Sequence, residues 1–497
     1  MKLTKTDFLI YRDCGKNAWL KIHKPEVYFS KPLSDFDQGI IDMGNDVDAV
    51  ARGLFPGGVL VTDRSDTTET ARLMEARTPI IYQPVFETPL YKMICDILVW
   101  NPDQNVYDLY EVKASNSGEE KKAKDKLYAC DIAFQYNVLK ELNIPLGTLY
   151  LVRLNSEYVR SADIVLHELF SIEDFTDRVL EMADSVAEEM RNAHEILDTE
   201  TEPAGPCRCI TRGRSAQCTT FTHSNPHVPE YSVHDISNIG KSKRKLEELV
   251  DSGMFSIHDV PEEFELSDKQ RNQVRAAQSG KTFIDKHEID TFLNTISLPI
   301  SFLDYETFNP AVPRFDGYSP FNQIPFQYSI HVLHEKGKEP EHEEFLFTKN
   351  LNPDELFIAS LQKDLPATGS VLVWHKSFEM GRNNDLIKRN PQHQAFLEDL
   401  NARIIDLKDV FADQYYIHPD FKGKTSIKFV LPVLAPQLSY KELEIGNGSE
   451  AMNTWNKLVT GDATDTERAE VEKNMLEYCG LDTYAMYAIW KHLGELA

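Results

Sequence analysis

Long apolar runs are absent from this sequence of 497 residues. A helix that spans a bilayer needs about 20 consecutive apolar residues, and the chain offers no such run. The first residues, MKLTKTDFLIYRDCGKNAW, also lack the apolar stretch and small-residue cleavage site of a secretory signal. We therefore expect a cytoplasmic protein with no membrane partner.

Positive charge and cysteine are scarce as well. The chain carries 53 basic and 79 acidic residues, a formal net charge of −26. This balance argues against a protein that coats nucleic acid through bulk charge, but it does not exclude a nuclease with acidic metal sites. Seven cysteines are too few for a disulfide framework in a chain of this length.

The chain does contain enough apolar side chains for more than one folded core. Hydrophobic residues make up 41% of it, and 497 residues exceed what a single core usually supports. The strand and helix patterns predict a multidomain α/β protein. We expect an N-terminal domain over residues 1–225, a helical connector over 226–292 and a C-terminal domain over 293–497.

The main local signal is an apolar run that ends in Asp304, Tyr305 and Glu306. On a β-strand, residues i and i+2 point to the same face, so these two carboxylates are expected side by side. Paired anions favour a divalent cation such as Mg²⁺ or Mn²⁺, which prefers oxygen ligands. An isolated pair of this kind more often lies in solvent, so its meaning depends on partners elsewhere.

Candidate partners follow in the C-terminal domain. Glu379 comes just after a predicted buried strand, near the start of a helix, and Asp385 is the alternative acid one to two turns later. The segment NMLEYCGLDTYAMYAIW predicts a helix on which Tyr478 and Asp482 share a face. We group these residues because the acids follow one another on a strand, at the start of a helix and on the final helix.

These motifs resemble those of the DEDDy exonucleases, whose domain has an RNase H-like α/β fold. The resemblance implies 3′→5′ cleavage of phosphodiester bonds with two metal ions, Mg²⁺ or Mn²⁺. It implies metal ligands at Asp304, Glu306, Glu379 and Asp482. It also implies that Tyr478 orients the attacking water.

A second set of candidates lies in the N-terminal domain. The segments TPIIYQPVF, LYKMICDILVW and NVYDLYEVKAS predict three strands, with a turn at residues 101–103 between the last two. Asp96 falls within the second segment, and Glu111 and Lys113 share a face of the third. Such carboxylates could hold a metal ion, while the lysine could orient water or stabilise a phosphate.

These strands resemble the core of the PD-(D/E)XK nucleases in their RecB-like branch, a restriction-endonuclease-like α/β fold. The following helix, YACDIAFQYNVLKEL, is similar to the QxxxY-type helix of that branch. Three features depart from the branch: Leu139 stands at the position of its final tyrosine, Gln83 stands where a strand often carries Glu, and GNDVDAVARG offers no counterpart of a helical His or Glu. The resemblance implies catalytic roles for Asp96, Glu111, Lys113 and Gln135, with Asp96 and Glu111 binding metal.

The cysteines are unevenly spaced. Cys207, Cys209 and Cys218 lie within twelve residues, and Cys14 lies near the start. Thiolates bind zinc and iron–sulfur clusters alike, so the grouping alone leaves the cofactor open. Some RecB-like nucleases hold a [4Fe–4S] cluster with one cysteine before the core and three after it. That resemblance implies a [4Fe–4S] cluster on these four cysteines, with Zn²⁺ as the alternative.

Over nearly its whole length the chain resembles a RecB-like nuclease joined to the domain of unknown function numbered 2779. The resemblance implies nucleic acid as the partner, most simply DNA with single-stranded ends, and both DNA repair and phage defence are compatible with it. An alternative hypothesis makes the N-terminal domain a non-catalytic module that binds nucleic acid or a partner protein. The connector segment IGKSKRKLEEL resembles a helix-hairpin-helix turn, although a plain helical linker explains it equally well.

Overall fold

The computed structural model describes residues 1–117 and 122–496, which form two compact units. Unit 1 contains residues Met1–Ile210, Ala216–Pro226 and Pro310–Asn322. Unit 2 contains Thr211–Ser215, His227–Asn309 and the described residues from Gln323 onward. Every helix in these ranges is too short or too polar to cross a lipid bilayer. Both units combine helices with mixed sheets, so the predicted multidomain α/β class is confirmed.

Unit 1 has a six-stranded sheet of order β2-β3-β6-β7-β8-β9 and a three-stranded sheet of order β1-β5-β4. Its strands are β1 (Leu3–Thr4), β2 (Val59–Leu60), β3 (Ile80–Tyr82), β4 (Val85–Glu87), β5 (Tyr91–Ile94), β6 (Ile97–Asn101), β7 (Val106–Asn116), β8 (Leu146–Leu154) and β9 (Phe170–Asp174). β6 and β7 form the predicted antiparallel hairpin, and β8 runs parallel to β7.

Helices cover the large sheet of unit 1. They are α1 (Lys5–Asp13), α2 (Gly15–His23), α3 (Pro25–Tyr28), α4 (Asp35–Ala51), α5 (Thr68–Glu75), α6 (Lys122–Glu141), α7 (Leu166–Leu169), α8 (Thr176–Leu197) and α9 (Phe221–Ser224). Buried Phe134 of α6 and Val186 of α8 pack with Leu109 and Leu149 of the sheet in one core. The apolar faces of α6 and α8 thus anchor the helices to β7 and β8.

Two predicted strands of unit 1 are wrong in their bounds. The segment TPIIYQPVF breaks into β3 and β4, which belong to different sheets. The segment LYKMICDILVW breaks into β5 and β6, which belong to different sheets, because Gln83 N–H donates to Asp96 C=O and Cys95 N–H to Pro84 C=O at the break. Asp96 therefore lies between strands rather than inside one. Strand β9 was not predicted: Phe170–Asp174 pairs with β8, and the helix that follows begins at Thr176.

Unit 2 is built around a five-stranded sheet of order β13-β12-β11-β14-β15. The strands of unit 2 are β10 (Phe283–Ile284), β11 (Ile300–Phe308), β12 (Ile324–Leu333), β13 (Glu341–Leu346), β14 (Ser370–Val373), β15 (Ile404–Asp406) and β16 (Tyr416–Ile417). Of these, β10 and β16 pair with each other in a separate two-stranded sheet. β11, β12 and β13 are antiparallel neighbours, whereas β14 and β15 run parallel to β11. The predicted strands that carry Asp304 and Glu306 and that precede Glu379 are β11 and β14.

The helices of unit 2 pack on both faces of this sheet. They are α10 (Lys243–Asp251), α11 (Asp268–Ser279), α12 (Lys286–Leu293), α13 (Asp354–Asp364), α14 (Lys376–Arg389), α15 (Gln394–Arg403), α16 (Asp409–Ala412), α17 (Ile427–Leu434), α18 (Gly448–Thr460) and α19 (Asp465–Leu496). Phe302 of β11 joins the core with α17 and α19, while Tyr305 packs against Phe357 of α13 on the opposite face. Strand alternation therefore places Asp304 and Glu306 on the side of α17 and α19.

Residues 227–292, predicted as a connector of short helices, have a small core of their own within unit 2. Leu246 and Leu249 of α10 pack there with Ile257 and with Val274 of α11. The segment IGKSKRKLEEL forms a short 3-10 turn at Ile239–Lys241 that leads into α10. Phosphate binding at this turn stays a prediction.

Candidate metal centres

The acidic centre of unit 2 begins on β11. Tyr305 points to the opposite face of the sheet from Asp304 and Glu306, and its hydroxyl donates to Asn383 Oδ1 at 3.2 Å. The pairing of β11 with β12 shifts register just after Glu306, which is a β-bulge of the kind that re-aims side chains. A carboxylate oxygen of Asp304, one of Glu306 and Sγ of Cys479 lie within 4.8 Å of one another. This spacing can hold a metal ion.

Glu379 lies in the first turn of α14, directly after β14. It is 2% exposed, and its Oε2 has no hydrogen-bond partner in the structure. Burial and then the charge of Asp406 raise the pKa of Glu379 to about 8. The alternative acid, Asp385, instead pairs with Arg382 and Lys388 farther along the helix. Glu379 is therefore the acid of α14 with an oxygen available to a ligand.

Asp406, at the end of β15, forms hydrogen bonds with the backbone at the start of α14. Its carboxylate accepts from the backbone N–H groups of His375 and Lys376 at 3.1 and 2.9 Å, and from that of Lys408 at 3.1 Å. These bonds satisfy donors at the start of α14 that have no partner within the helix. Asp406 thus positions the turn that carries Glu379.

Tyr478 and Asp482 share a face of α19, as their four-residue spacing predicts. Asp482 Oδ1 accepts from the hydroxyl of Tyr440 at 2.5 Å, and the Tyr478 hydroxyl also donates to this carboxylate. Burial raises the pKa of Asp482 to about 6 in spite of these bonds. Burial and the charge of Asp482 raise the pKa of both tyrosines far above its ordinary value, so both hydroxyls stay protonated.

The four predicted acids of unit 2 affect one another. Burial and the charges of Asp482, Glu306 and Glu379 raise the pKa of Asp304 well above its ordinary value. Burial and the charge of Asp482 likewise raise the pKa of Glu306 to about 8. Among the described residues, none of the four carboxylates forms an ion pair. Without a cation the raised pKa values keep protons on these carboxyls, and a divalent cation that binds here would take the place of those protons.

Two side chains of this centre were not predicted. Lys428 of α17 donates from Nζ to Gly446 C=O at 2.6 Å and lies 5.5 and 5.4 Å from the ring centroids of Tyr440 and Tyr478. Its charge lowers the pKa of the nearby carboxylates without pairing with them. The second of the two is Tyr440. Lys428 interrupts the apolar segment TSIKFVLPVLAPQLSY and Tyr440 ends it, and a polar group in such a segment needs a buried partner. That signal could have found them.

The pKa values of this centre predict a specific pH dependence in metal-free buffer. Glu306 and Glu379 keep their protons up to about pH 8 when folded, whereas the unfolded chain releases them near pH 4. The folded state binds more protons in this window, so the free energy of unfolding should decrease as pH rises through it. Mn²⁺ replaces these protons, so it should raise the melting temperature more at pH 8 than at pH 6.

Thermal melting with and without Mn²⁺ across this pH range measures both effects. A Glu379→Gln variant is the control, because it has one titrating carboxyl fewer and should show a shallower pH dependence. Melting temperatures that respond equally to Mn²⁺ at both pH values would contradict the prediction.

The second acidic centre lies in unit 1 and contains the four residues predicted there. Lys113 Nζ is 2.5 Å from Glu111 Oε1, since both side chains point from the same face of β7. Gln135 of α6 donates from Nε2 to Glu111 Oε2 at 2.6 Å. Asp96 Oδ2 accepts from the backbone N–H of Val112 at 2.8 Å. Hydrogen bonds therefore join α6, β7 and the break before β6.

Two further residues of this centre, Lys5 and Asp131, were not predicted. Lys5 is the first residue of α1, and its Nζ lies 3.0 Å from Glu111 Oε1 and 3.3 Å from Asp131 Oδ1. Asp131 of α6 also pairs with Lys113. Sequence spacing gives no sign of Lys5, because 106 positions separate it from Glu111.

Asp48 of α4 is a third residue that was missed. It lies in the segment GNDVDAVARG, where no counterpart of a helical acid was recognised, and its Oδ1 accepts from Gln83 Nε2 at 3.1 Å. Gln83 also approaches Asp96 Oδ1 at 3.5 Å. The amide of Gln83 thus stands between two carboxylates.

The charges in this centre are balanced differently from those in unit 2. Burial and the charge of Glu111 raise the pKa of Asp96 to about 7. Burial would also raise the pKa of Glu111, but the ammonium groups of Lys113 and Lys5 hold it well below its ordinary value. Burial would lower the pKa of Lys5, but the surrounding carboxylates raise it well above the usual value. The lysines remain charged beside their acids.

The third centre consists of the four cysteines, all within unit 1. Cys14 separates α1 from α2, and the Sγ atoms of Cys14, Cys207, Cys209 and Cys218 lie within 4.8 Å of one another. Asn225 Nδ2 donates to Cys207 Sγ at 3.2 Å. Interactions among the four thiols lower the pKa of Cys207 and Cys14 and raise the pKa of Cys209 and Cys218, so without a metal ion the group holds some of its protons. This group of thiols could bind a metal.

Contacts around the cysteines join the N-terminal helices to residues 199–220. Trp19 Nε1 donates to Thr199 C=O at 2.8 Å, and Thr220 donates to Asn17 Oδ1 from its hydroxyl at 2.8 Å. Lys16 Nζ donates to the C=O of residue 205 at 2.7 Å. The thiol cluster therefore lies where two distant segments of unit 1 meet.

The chain is thus a two-unit α/β protein with a thiol cluster and two buried acidic centres. Residues 301–426 match the family model described as "Domain of unknown function (DUF2779)". This match includes Asp304, Glu306 and Glu379 and ends before α19, so it covers much less than the whole chain. The chain is also similar to "Uncharacterized protein UU173" of Ureaplasma parvum serovar 3 (strain ATCC 700970), at 27% identity over 241 residues. That similarity covers 44% of this chain and 33% of the relative, so the chain spans about one third of the relative's length.

Proposed function

We propose that the protein is a metal-dependent nuclease that removes nucleotides from the 3′ end of nucleic acid, most simply single-stranded DNA, at the acidic centre of unit 2. The observation that carries this proposal is a group of four carboxylates that form no ion pair among the described residues: Glu306, Glu379 and Asp482, which are buried, and Asp304, which is partly buried. Buried acids without paired cations are costly unless a bound cation compensates them.

The four carboxylates fit Mg²⁺ or Mn²⁺, because they offer oxygen ligands and Glu379 Oε2 has no hydrogen-bond partner. The sulfur of the neighbouring Cys479 stays a thiol, since burial raises its pKa well above the ordinary value. When bound, these ions would supply the positive charge that activates water and stabilises the departing 3′ oxygen. Tyr478 stays protonated, so it would orient water by hydrogen bonding and would not act as a base. Tyr440 would hold the Asp482 carboxylate in place through its 2.5 Å hydrogen bond.

The topology of unit 2 supports the same proposal. Three antiparallel strands followed by two that run parallel to β11 give the sheet order expected of an RNase H-like domain. The acidic pair lies on the central strand β11, and the other two acids come from α14 and α19. This is the arrangement that the resemblance to DEDDy exonucleases implies.

For the cysteines we propose a single Zn²⁺ ion. A tetrahedral ion with metal–sulfur bonds of about 2.3 Å separates its sulfur ligands by about 3.8 Å. Cys207 Sγ and Cys218 Sγ are 3.8 Å apart, and all four sulfurs lie within 4.8 Å of one another. A [4Fe–4S] cluster would hold its thiolates farther apart, because the irons themselves lie between them. The cluster implied by the resemblance is therefore the less favoured alternative.

The nuclease proposal is tested with the purified full chain, Mg²⁺ or Mn²⁺, and single strands of DNA or RNA labelled at either end. We expect a 3′ label to be released first as single nucleotides, and we expect Asp304→Ala to abolish this release. The matched control is Asp399→Ala, which removes an exposed carboxylate of unit 2 that pairs with Arg403. Equal degradation by the wild type and Asp304→Ala would overturn the proposal.

A further inference from the structure

The acidic centre of unit 1 already contains its own cations. Lys5 Nζ contacts Glu111 Oε1 and Asp131 Oδ1, and Lys113 contacts the same two acids. Arg52 pairs with Asp48 at the outer end of the centre. Three basic side chains thus face four carboxylates, those of Asp48, Asp96, Glu111 and Asp131.

The carboxylate oxygens that a metal ion would need are also occupied. Both oxygens of Glu111 accept from protein donors, Oε1 from the two lysines and Oε2 from Gln135. Asp96 Oδ2 accepts from Val112 N–H, and Gln83 approaches its Oδ1. A divalent ion would therefore have to displace several buried hydrogen bonds and leave an ammonium beside another cation, which is unfavourable.

Lys5 is held firmly in this position. Leu3 and Phe8, on either side of it, are both completely buried. Residues Leu3 and Thr4 form β1, which pairs with β5, and the Thr4 side chain accepts from Asp7 N–H at the start of α1. The side chain of Lys5 is 20% exposed, but the buried residues on either side fix its backbone, so its ammonium is held beside Glu111 and Asp131.

The acidic centres of the two units differ in their ion pairs. Both centres gather four buried or partly buried carboxylates, yet none of those in unit 2 forms an ion pair among the described residues, while Glu111 and Asp131 each pair with two lysines. In unit 2, Glu379 Oε2 has no hydrogen-bond partner and, within the described part of the chain, no ion-pair partner, whereas Asp131 Oδ1 of unit 1, which also accepts no hydrogen bond, lies 3.3 Å from the Lys5 ammonium. The residues of unit 1 do not fit the metal ion that the resemblance to RecB-like nucleases implies.

We propose that the acidic centre of unit 1 is a metal-free ion-pair cluster, in which the Lys5 ammonium supplies the positive charge that a divalent metal ion supplies in an active nuclease centre. Unit 1 then makes no metal-dependent cut at this centre. Any cleavage by the chain then depends on unit 2. Unit 1 would instead bind nucleic acid or a partner protein.

Mn²⁺ titration of the full chain, followed by the electron paramagnetic resonance signal of free Mn²⁺, tests this proposal without measuring activity. The parent protein carries Asp304→Asn and Glu379→Gln, which weaken metal binding in unit 2. We expect that adding Glu111→Gln to this parent leaves the number of bound Mn²⁺ ions unchanged. Adding Lys5→Met instead should create one additional Mn²⁺ site per chain, and combining it with Glu111→Gln should abolish that site.

The matched control is Lys2→Met, which removes an exposed ammonium from the same segment and should add no Mn²⁺ site. A parent that loses one Mn²⁺ ion on Glu111→Gln would overturn the proposal, and this comparison leaves Lys5 untouched. A folded Lys5→Met protein that gains no site would also overturn it, with folding checked by circular dichroism. Neither outcome depends on nuclease activity, so the proposal for unit 2 can fail independently.

Discussion

Replacing Glu379 by glutamine should reduce metal-dependent cleavage on the order of 10²–10³-fold, the loss typical when one charged group that stabilises a transition state is removed. Glutamine keeps the size of the side chain but removes the negative charge that the free Oε2 offers to a cation. The buried position allows little solvent to compensate, since Glu379 is 2% exposed. The rate of nucleotide release from a 3′-labelled strand at saturating Mn²⁺ measures the effect.

Two variants complete this experiment. Glu379→Asp keeps the charge on a shorter side chain and should retain part of the activity. Asp385→Asn is the matched control on the same helix, because Asp385 pairs with Arg382 and Lys388 and should leave the rate within about twofold. Activity lost in Asp385→Asn and kept in Glu379→Gln would assign the third acid to the wrong residue.

Replacing Cys207 by serine should remove the metal bound by the thiol cluster and lower the melting temperature of unit 1 by about 10 °C or more. Cys207 is buried, accepts from Asn225, and contributes to a cluster that joins α1 and α2 to residues 207–218. Without the ion, that junction keeps only its hydrogen bonds. Differential scanning calorimetry measures the change in stability, and elemental analysis of the purified protein measures the metal.

The wild type should contain one zinc ion per chain and should be colourless. Cys130→Ala is the matched control: it removes a buried thiol from the core of the same unit and should cost stability while keeping the zinc. Iron with inorganic sulfide and a broad visible absorption would contradict the zinc proposal and favour the [4Fe–4S] cluster. Metal-free protein with an unchanged melting temperature would contradict a structural metal of either kind.

Periodic patterns in the sequence were sufficient for much of the fold. The alternation of Phe302, Asp304 and Glu306 against Tyr305 predicted β11 and the shared face of the acids, and the spacing of Tyr478 and Asp482 predicted one face of α19. These patterns succeed because strands and helices repeat over two and 3.6 residues wherever they occur. The break at Asp96 and strand β9 were missed, because they depend on backbone pairing with distant segments.

The residues of the candidate sites also fall into those that the sequence predicted and those that it did not. Their acids, the lysine at position 113 and the four cysteines could be selected from the sequence, since each belongs to a local pattern of residue type and spacing. Lys5, Asp48 and Asp131 in unit 1, and Tyr440 and Lys428 in unit 2, have no such pattern. They became part of the sites only through packing.

The sequence by itself therefore determined which residues carry acidic and thiol chemistry, because these depend on residue type and on short-range geometry. Only the tertiary structure decided how the charges are balanced. It placed the ammonium of Lys5 against Glu111, 106 positions away, and left Glu379 without a partner for one oxygen. Electrostatic compensation depends on distance in space and on burial rather than on separation along the chain. For that reason two acidic centres that look alike in sequence differ in how their charges are balanced.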